Sequence, residues 1–111
     1  DAARAALAAD CGAAWTVARL AAALGLAPRT LQRRLTEAGL SFSGLCTEVR
    51  LTRSAQLLAR SREPLAQVGY LSGFADQAHF TRSFKRFTAI TPAAYRAQFG
   101  SPAAAPPPRA G

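Results

Sequence analysis

Apolar residues along this chain recur every three or four positions, and nowhere do they alternate strictly with polar ones over the length of a strand. Spacing of three and four lines one face of a helix, whereas a half-buried strand needs period two. Read with its cap signals, the pattern predicts an all-α chain of seven helices. The first covers about Asp1 to Ala9. The second follows Thr16, whose hydroxyl can cap it, and carries Val17, Leu20, Ala21 and Leu24 on one face. Gly25 then permits a turn that side chains resist. Pro28 suits the first position of a third helix with apolar positions Leu31 and Leu35, and Gly39 ends it. Ser41 caps a long fourth helix to about Arg60, with Leu45, Val49, Ala55 and Leu58 facing the core. Pro64 opens a short fifth helix containing Leu65 and Val68, and Gly73 and Phe74 follow as a turn. Asp76 caps a sixth, on which Phe80, Phe84 and Phe87 recur at core spacing. Thr91 and Pro92 read as cap and first residue of a seventh, reaching about Phe99. The Pro- and Ala-rich segment 101–111 lacks core material and reads as a disordered tail.

The most informative feature is an internal echo. One copy reads Val17, Leu20, Ala21, Gly25, Leu26, then Leu31 and Leu35. The other reads Leu65, Val68, Gly69, Gly73, Phe74, then Phe80 and Phe84. In each, a small residue stands four positions before the turn glycine, and an apolar residue follows that glycine directly. The second copy carries one extra residue before its next helix. Helices that cross steeply need a small residue at closest approach, and a sharp turn between them needs glycine. The pattern is that of two helix-turn-helix units, about 16–39 and 64–88, joined by a connector helix over about 41–60 within a single domain of residues 1–100.

Outward positions on the third helix include Arg29, Thr30, Gln32 and Arg33. On the sixth they include Gln77, Ala78, His79, Thr81 and Arg82. Arg can meet a guanine edge, and Gln an adenine edge, with paired hydrogen bonds. Two solvated faces of an ordinary helical bundle would account for one such copy as well; two copies with basic outer faces favour recognition.

Charge points the same way. The formal net charge is +8 and the sequence pI about 11.3, a balance that favours polyanionic partners. Lys85 is the one lysine, so nearly all positive charge sits on planar guanidinium forks. Candidate phosphate contacts are Arg19, Arg34, Arg50, Thr81, Lys85 and Arg86, with the helix starts near Thr16 and Pro64 adding backbone amides.

Other chemistry is poorly supplied. The two cysteines, Cys11 and Cys46, lie in helix-like contexts and read as reduced, partly buried thiols. With the single histidine, His79, they make a scattered trio without ligand-like pairing, so neither a metal site, a cofactor nor a thiol enzyme is expected. No apolar run reaches membrane-spanning length. The chain holds no methionine and reads as a piece of a longer protein.

The run from Leu24 to Leu35, Leu-Gly-Leu-Ala-Pro-Arg-Thr-Leu-Gln-Arg-Arg-Leu, resembles the first recognition unit of the AraC/XylS family of bacterial transcription regulators. The run from Gly73 to Phe87 is similar to that family's more specific signature, and Thr91-Pro92-Ala93-Ala94-Tyr95-Arg96 completes it. The resemblance covers about Thr16 to Phe99. It implies base-edge contacts at Arg29, Gln32 and Arg33, and at Gln77, Ala78, His79 and Arg82. It also implies a rigid connector bearing Arg50, Leu51 and Arg53, and a cytoplasmic, nucleoid-associated protein. The expected function is sequence-specific binding of double-stranded DNA, with activation through RNA polymerase and a separate effector-binding or dimerisation domain as the usual family pattern. Four departures stand out: Ala27 in place of a capping Ser, Gly69 in place of Ala, Ala89 in place of Gly, and an Ala78 too short to hydrogen-bond a base. A connector of about 17 residues spans roughly 26 Å, short of the roughly 34 Å between successive major grooves, so bent DNA or unequal engagement is expected. An RNA-binding or protein-interaction module, and the DNA-binding appendage of a larger repair enzyme, are the alternatives.

Overall fold

The computed structural model describes residues 2–100. Among them there are seven α-helices and no strand: α1 Ala2–Ala9, α2 Val17–Leu24, α3 Pro28–Glu37, α4 Phe42–Arg60, α5 Leu65–Leu71, α6 Gln77–Thr88 and α7 Pro92–Phe99. The expected tail at 101–111 lies outside the described residues.

The helix starts are where side-chain chemistry puts them. Thr16 accepts from the Arg19 amide at 3.0 Å, Asp76 from the His79 amide at 2.6 Å, and Thr91 from the Ala94 amide at 3.1 Å. Each relieves one of the amides that a first turn leaves without a partner. Ser41 does the same for Gly44 at 3.0 Å. Ala27 has no side chain to offer, and α3 begins there without a side-chain cap. Pro64 opens α5 from the position immediately before it, without a side-chain cap.

The echo in the sequence is repeated in the hydrogen bonds that end the helices. At the end of α2, Gly25 takes a left-handed conformation (φ 68°), and its amide donates to Ala22 while Leu26 donates back to Ala21 at 2.9 Å. At the end of α5, Gly73 (φ 100°) donates to Tyr70, and Phe74 donates back to Gly69 at 2.9 Å. Both are the paired closure that a left-handed glycine makes possible at a helix terminus. The small residue four positions before each glycine is therefore the acceptor of the closing bond that reaches back five residues.

The chain divides into two compact units, one ending at Arg50 and the other beginning at Leu51, with α4 running unbroken through the boundary. In the first unit, Leu7, Leu20, Ala21, Leu31, Leu35, Leu45, Cys46 and Val49 form the core. In the second, the core is Leu51, Leu57, Leu58, Val68, Phe74, Phe80 and Phe84. Phe80 lies 5.3 Å from Phe74 and 5.8 Å from Phe84 between ring centres, and Tyr95 of α7 meets Phe84 edge-on at 5.3 Å.

Phe87 departs from expectation. Helical spacing puts it in line with Phe80, yet it is 53% exposed while Phe80 and Phe84 are fully buried. Periodicity decides which face a residue lies on, not whether another element extends along the helix far enough to cover it. At the last turn of α6 the second unit offers no such cover.

Candidate nucleic-acid interface

α3 packs against α2 in the first unit and α6 against α5 in the second, and each turns its apolar side inward. On α3 this buries Leu31 and Leu35 and leaves Arg29, Gln32, Arg33 and Arg34 exposed, with Thr30 half-buried. On α6 it buries Phe80 and Phe84 and leaves Gln77, Ala78, His79, Arg82, Lys85 and Arg86 exposed, with Thr81 half-buried. The structure thus gathers most sequence-predicted contact residues onto two helical faces, one in each unit.

The first face is basic and largely uncommitted. On it, an ion pair runs from Arg33 Nε to Glu37 Oε1 at 3.8 Å, one helical turn apart. Both groups are about two-thirds exposed, so solvent screens the attraction and either partner can leave it readily. Glu37 was not singled out from the sequence. Its spacing four positions after Arg33 was the signal that could have found it. Arg34 lies at the rim of an open apolar groove formed by Leu24, Leu26, Leu31, Leu35 and Leu40.

The second face is more constrained. The Gln77 amide nitrogen donates to the Leu65 carbonyl oxygen at 3.3 Å, across the turn between α5 and α6. Its side-chain oxygen also lies over Gly69. His79 places its ring edge-on to Phe74, 5.5 Å between centres. Of the residues that the resemblance put against base edges here, Arg82 is the long, exposed side chain with no such tie among the described residues, and Ala78 presents only a methyl group.

Two predicted phosphate contacts in the first unit are less available than their sequence positions suggest. Arg19 stacks its guanidinium over the Trp15 ring at 4.6 Å and lies 4.0 Å from the Asp10 carboxylate. Arg50 is half-buried and lines a small cleft with Cys46. Thr16 is exposed, but its hydroxyl is the α2 cap. Lys85 and Arg86 stand in the last turn of α6, where cations also offset the helix dipole.

Among the described residues no cluster of three or more His, Cys, Asp or Glu gathers as metal ligands, and no helix is long and apolar enough to cross a membrane.

Comparison with known proteins agrees with this geometry. A family model described as a helix-turn-helix domain matches residues 20–98. The transcriptional regulator GadX of Escherichia coli is 33% identical over 82 residues, covering 74% of this chain and 30% of the relative. The regulator VirS of Mycobacterium tuberculosis is 39% identical over 77 residues, covering 69% of this chain and 23% of the relative. The chain therefore spans less than a third of the length of these curated relatives. Among solved structures, an AraC-type DNA-binding domain protein from Chromobacterium violaceum superposes with a TM-score of 0.81 at 29% identity, covering 90% of each chain. A DNA-binding transcriptional dual regulator from Escherichia coli K-12 gives 0.81 at 27% identity, covering 87% of each.

Proposed function

The chain belongs to the AraC-type helix-turn-helix family of transcription regulators, and from this we propose that it binds double-stranded DNA through the exposed faces of α3 and α6, α3 reading the more sequence. The observation that carries the reading is the matched pair of units. Each has a helix closed by a left-handed glycine, followed by a second helix whose buried side is apolar and whose outer side is polar and basic. A helix supported on one side and polar on the other can lie in a major groove with its outer side chains against base edges.

The assignment within the faces follows from what holds each side chain. Arg29, Gln32 and Arg33 are the base-reading group, with Thr30 beside them. Arg82 carries most of the readout on α6, supported by His79 and by a methyl contact from Ala78. Gln77 must break its bond to Leu65 before it can reach a base, which weakens its contribution. Arg34, Thr81, Lys85 and Arg86 are the phosphate contacts; Arg19 and Thr16 contribute less because their side chains are already engaged, and Arg50 less because it is half-buried. Activation through RNA polymerase, an effector-binding or dimerisation domain elsewhere in the polypeptide, and a place in the bacterial cytoplasm on the nucleoid belong to the same proposal. The greater length of the curated relatives supports the additional domain.

Selection of bound duplexes from a random library, at near-physiological salt, tests the reading. A strong sequence block read by α3, with a weaker second block read by α6, is the expected result. Equal enrichment of both blocks would overturn the ranking of the two helices. Failure to retain any duplex would overturn the function.

A further inference from the structure

We propose that Cys11 and Cys46 form an oxidisable dithiol in the first unit, which a hydroperoxide converts to an intramolecular disulfide closing the loop that contains α2 and α3. The two residues are far apart in sequence, one in the turn after α1 and one inside α4, yet both line a single small cleft. Leu7, Trp15, Val49 and Arg50 complete its wall. Its free space is about 10 Å³, roughly that of one water. Both thiols therefore belong to one shared cleft of the first unit.

The turn that carries Cys11 exposes Gly12, where even a Cβ would meet no neighbour. The Cys11 thiol donates to the Ala8 carbonyl oxygen at 3.7 Å, a weak tie. A disulfide needs α-carbons within about 7 Å, so the link also reports how closely the turn after α1 can approach α4.

The two thiols differ in a way that assigns their roles. Cys11 is half-buried and can be approached from solvent, whereas Cys46 is 7% exposed. Burial pushes the Cys46 thiol up from its ordinary value, and the Arg50 guanidinium pulls it partly back. The oxidant therefore meets Cys11 first. The Cys11 thiolate attacks the nearer peroxide oxygen; the O–O bond breaks, a sulfenic acid forms, and the alkoxide or hydroxide leaves and takes up the proton that Cys11 lost. Cys46 then attacks the sulfenic sulfur. The S–S bond forms, the S–O bond breaks, and the departing hydroxide takes the Cys46 proton to leave as water. Two electrons pass from the two thiols to the peroxide, and Arg50 offsets negative charge on Cys46 as its proton is lost.

Trp15 gives the test a built-in reporter, because it is the only tryptophan and stands in the cleft wall. The experiment treats the protein with a small excess of hydrogen peroxide, blocks remaining thiols, and maps the digested peptides by mass spectrometry alongside Trp15 fluorescence. The expected result is joint loss of both thiols, a mass lower by about two daltons, and one linked pair of peptides containing residues 11 and 46. Quenched Trp15 emission should accompany the link and recover with a dithiol reductant. In Cys46→Ser the same treatment should stop at a sulfenic acid on Cys11 that dimedone traps. In Cys11→Ser, oxidation of Cys46 should be at least about ten-fold slower than that of Cys11 in the unaltered protein. Oxidation of Cys11 to sulfinic acid with Cys46 left as thiol would overturn the proposal. So would links formed only between separate chains.

Discussion

The Arg96 guanidinium donates from Nε to the Leu58 carbonyl oxygen at 3.2 Å, tying α7 to the end of α4. Its Nη2 reaches the carbonyl oxygens of Ser61 at 3.4 Å and Leu57 at 3.5 Å. The last carbonyls of a helix lack amide partners within it, and a cation there also meets the negative end of the helix dipole. This half-buried side chain thus closes the end of α4 together with Ser61, whose amide and hydroxyl also donate to the Leu57 carbonyl oxygen. Replacing it by Met keeps the stem and removes the fork, at an expected cost of about 1–2 kcal/mol. For a chain of this length that lowers Tm by several degrees. Arg96→Lys should recover only part of the loss, because an ammonium cannot span three carbonyls as a planar fork does. Calorimetry checks the ranking, and duplex affinity measured well below Tm should be unchanged in both variants.

Ala89 ends α6 with φ 70°, the one non-glycine residue with positive φ among those described. A Cβ in the left-handed region costs about 1–2 kcal/mol, and part of that returns through the smaller entropy that Ala loses on folding. Ala89→Gly should therefore stabilise the second unit by about 0.5–1 kcal/mol. In the first unit, Ala27→Ser should supply the missing cap of α3 and stabilise by about 1 kcal/mol. The two positions share no partner, so their effects should add in denaturant titrations of the double variant.

Gly69 shows why a small residue stands before the turn in the second unit. A Cβ placed there would come within 3.0 Å of Phe80 Cδ2 and 3.1 Å of its Cγ. Phe80 is fully buried between Phe74 and Phe84 and has little room to retreat. Alanine would gain up to about 1 kcal/mol of helix propensity, but overpacking a filled core costs about 1–3 kcal/mol. Gly69→Ala is expected to destabilise on balance. Combined with Phe80→Leu, the same substitution should become less harmful than in the parent background. A thermodynamic cycle measures this, and purely additive effects would contradict the close contact.

The helix starts at Thr16, Asp76 and Thr91, and the glycine turns at Gly25 and Gly73, were legible because each depends on a few neighbouring residues. The paired units followed, since repeated local signals at matching spacing define them. Less legible was what each outward side chain does. Arg19 folds back over Trp15, and Gln77 reaches Leu65 across a turn; neither partner could be named from helical periodicity. Phe87 failed for a related reason, because its exposure depends on how far other elements extend along α6. The cleft joining Cys11 and Cys46 needed the folded path of the first unit, which brings the α1 turn to α4.

Arg33 and Arg86 should separate specificity from general affinity. Arg33 lies on the outer face of α3, where a fork can meet a guanine edge, and losing such a contact costs about 1–3 kcal/mol of discrimination. Arg86 stands at the end of α6, suited to a phosphate. Arg33→Ala should reduce preference for the selected duplex over random DNA. Arg86→Ala should weaken both alike and reduce the slope of log affinity against log salt by about one. Competition binding at several salt concentrations distinguishes the two, and identical behaviour of the variants would refute the division.

Glu37 places a carboxylate on the same helix as the proposed base-reading group, one turn beyond Arg33. Two consequences follow for DNA in the groove. The carboxylate repels phosphates, and it competes for the guanidinium that would otherwise settle on any nearby phosphate. A specific guanine contact has two directed hydrogen bonds with which to displace the pair, whereas a non-specific contact has mainly charge. Glu37→Gln should therefore raise affinity for random duplexes several-fold more than for the selected site, lowering the specificity ratio while fold and Tm stay nearly constant. Introduced beside Arg33→Ala, Glu37→Gln should still raise general affinity but no longer change the ratio, because the arginine it restrains is gone. Titrations of the two single variants and the double variant against both duplexes measure this coupling. A ratio that shifts equally with and without Arg33 would show that Glu37 acts only by repelling phosphate.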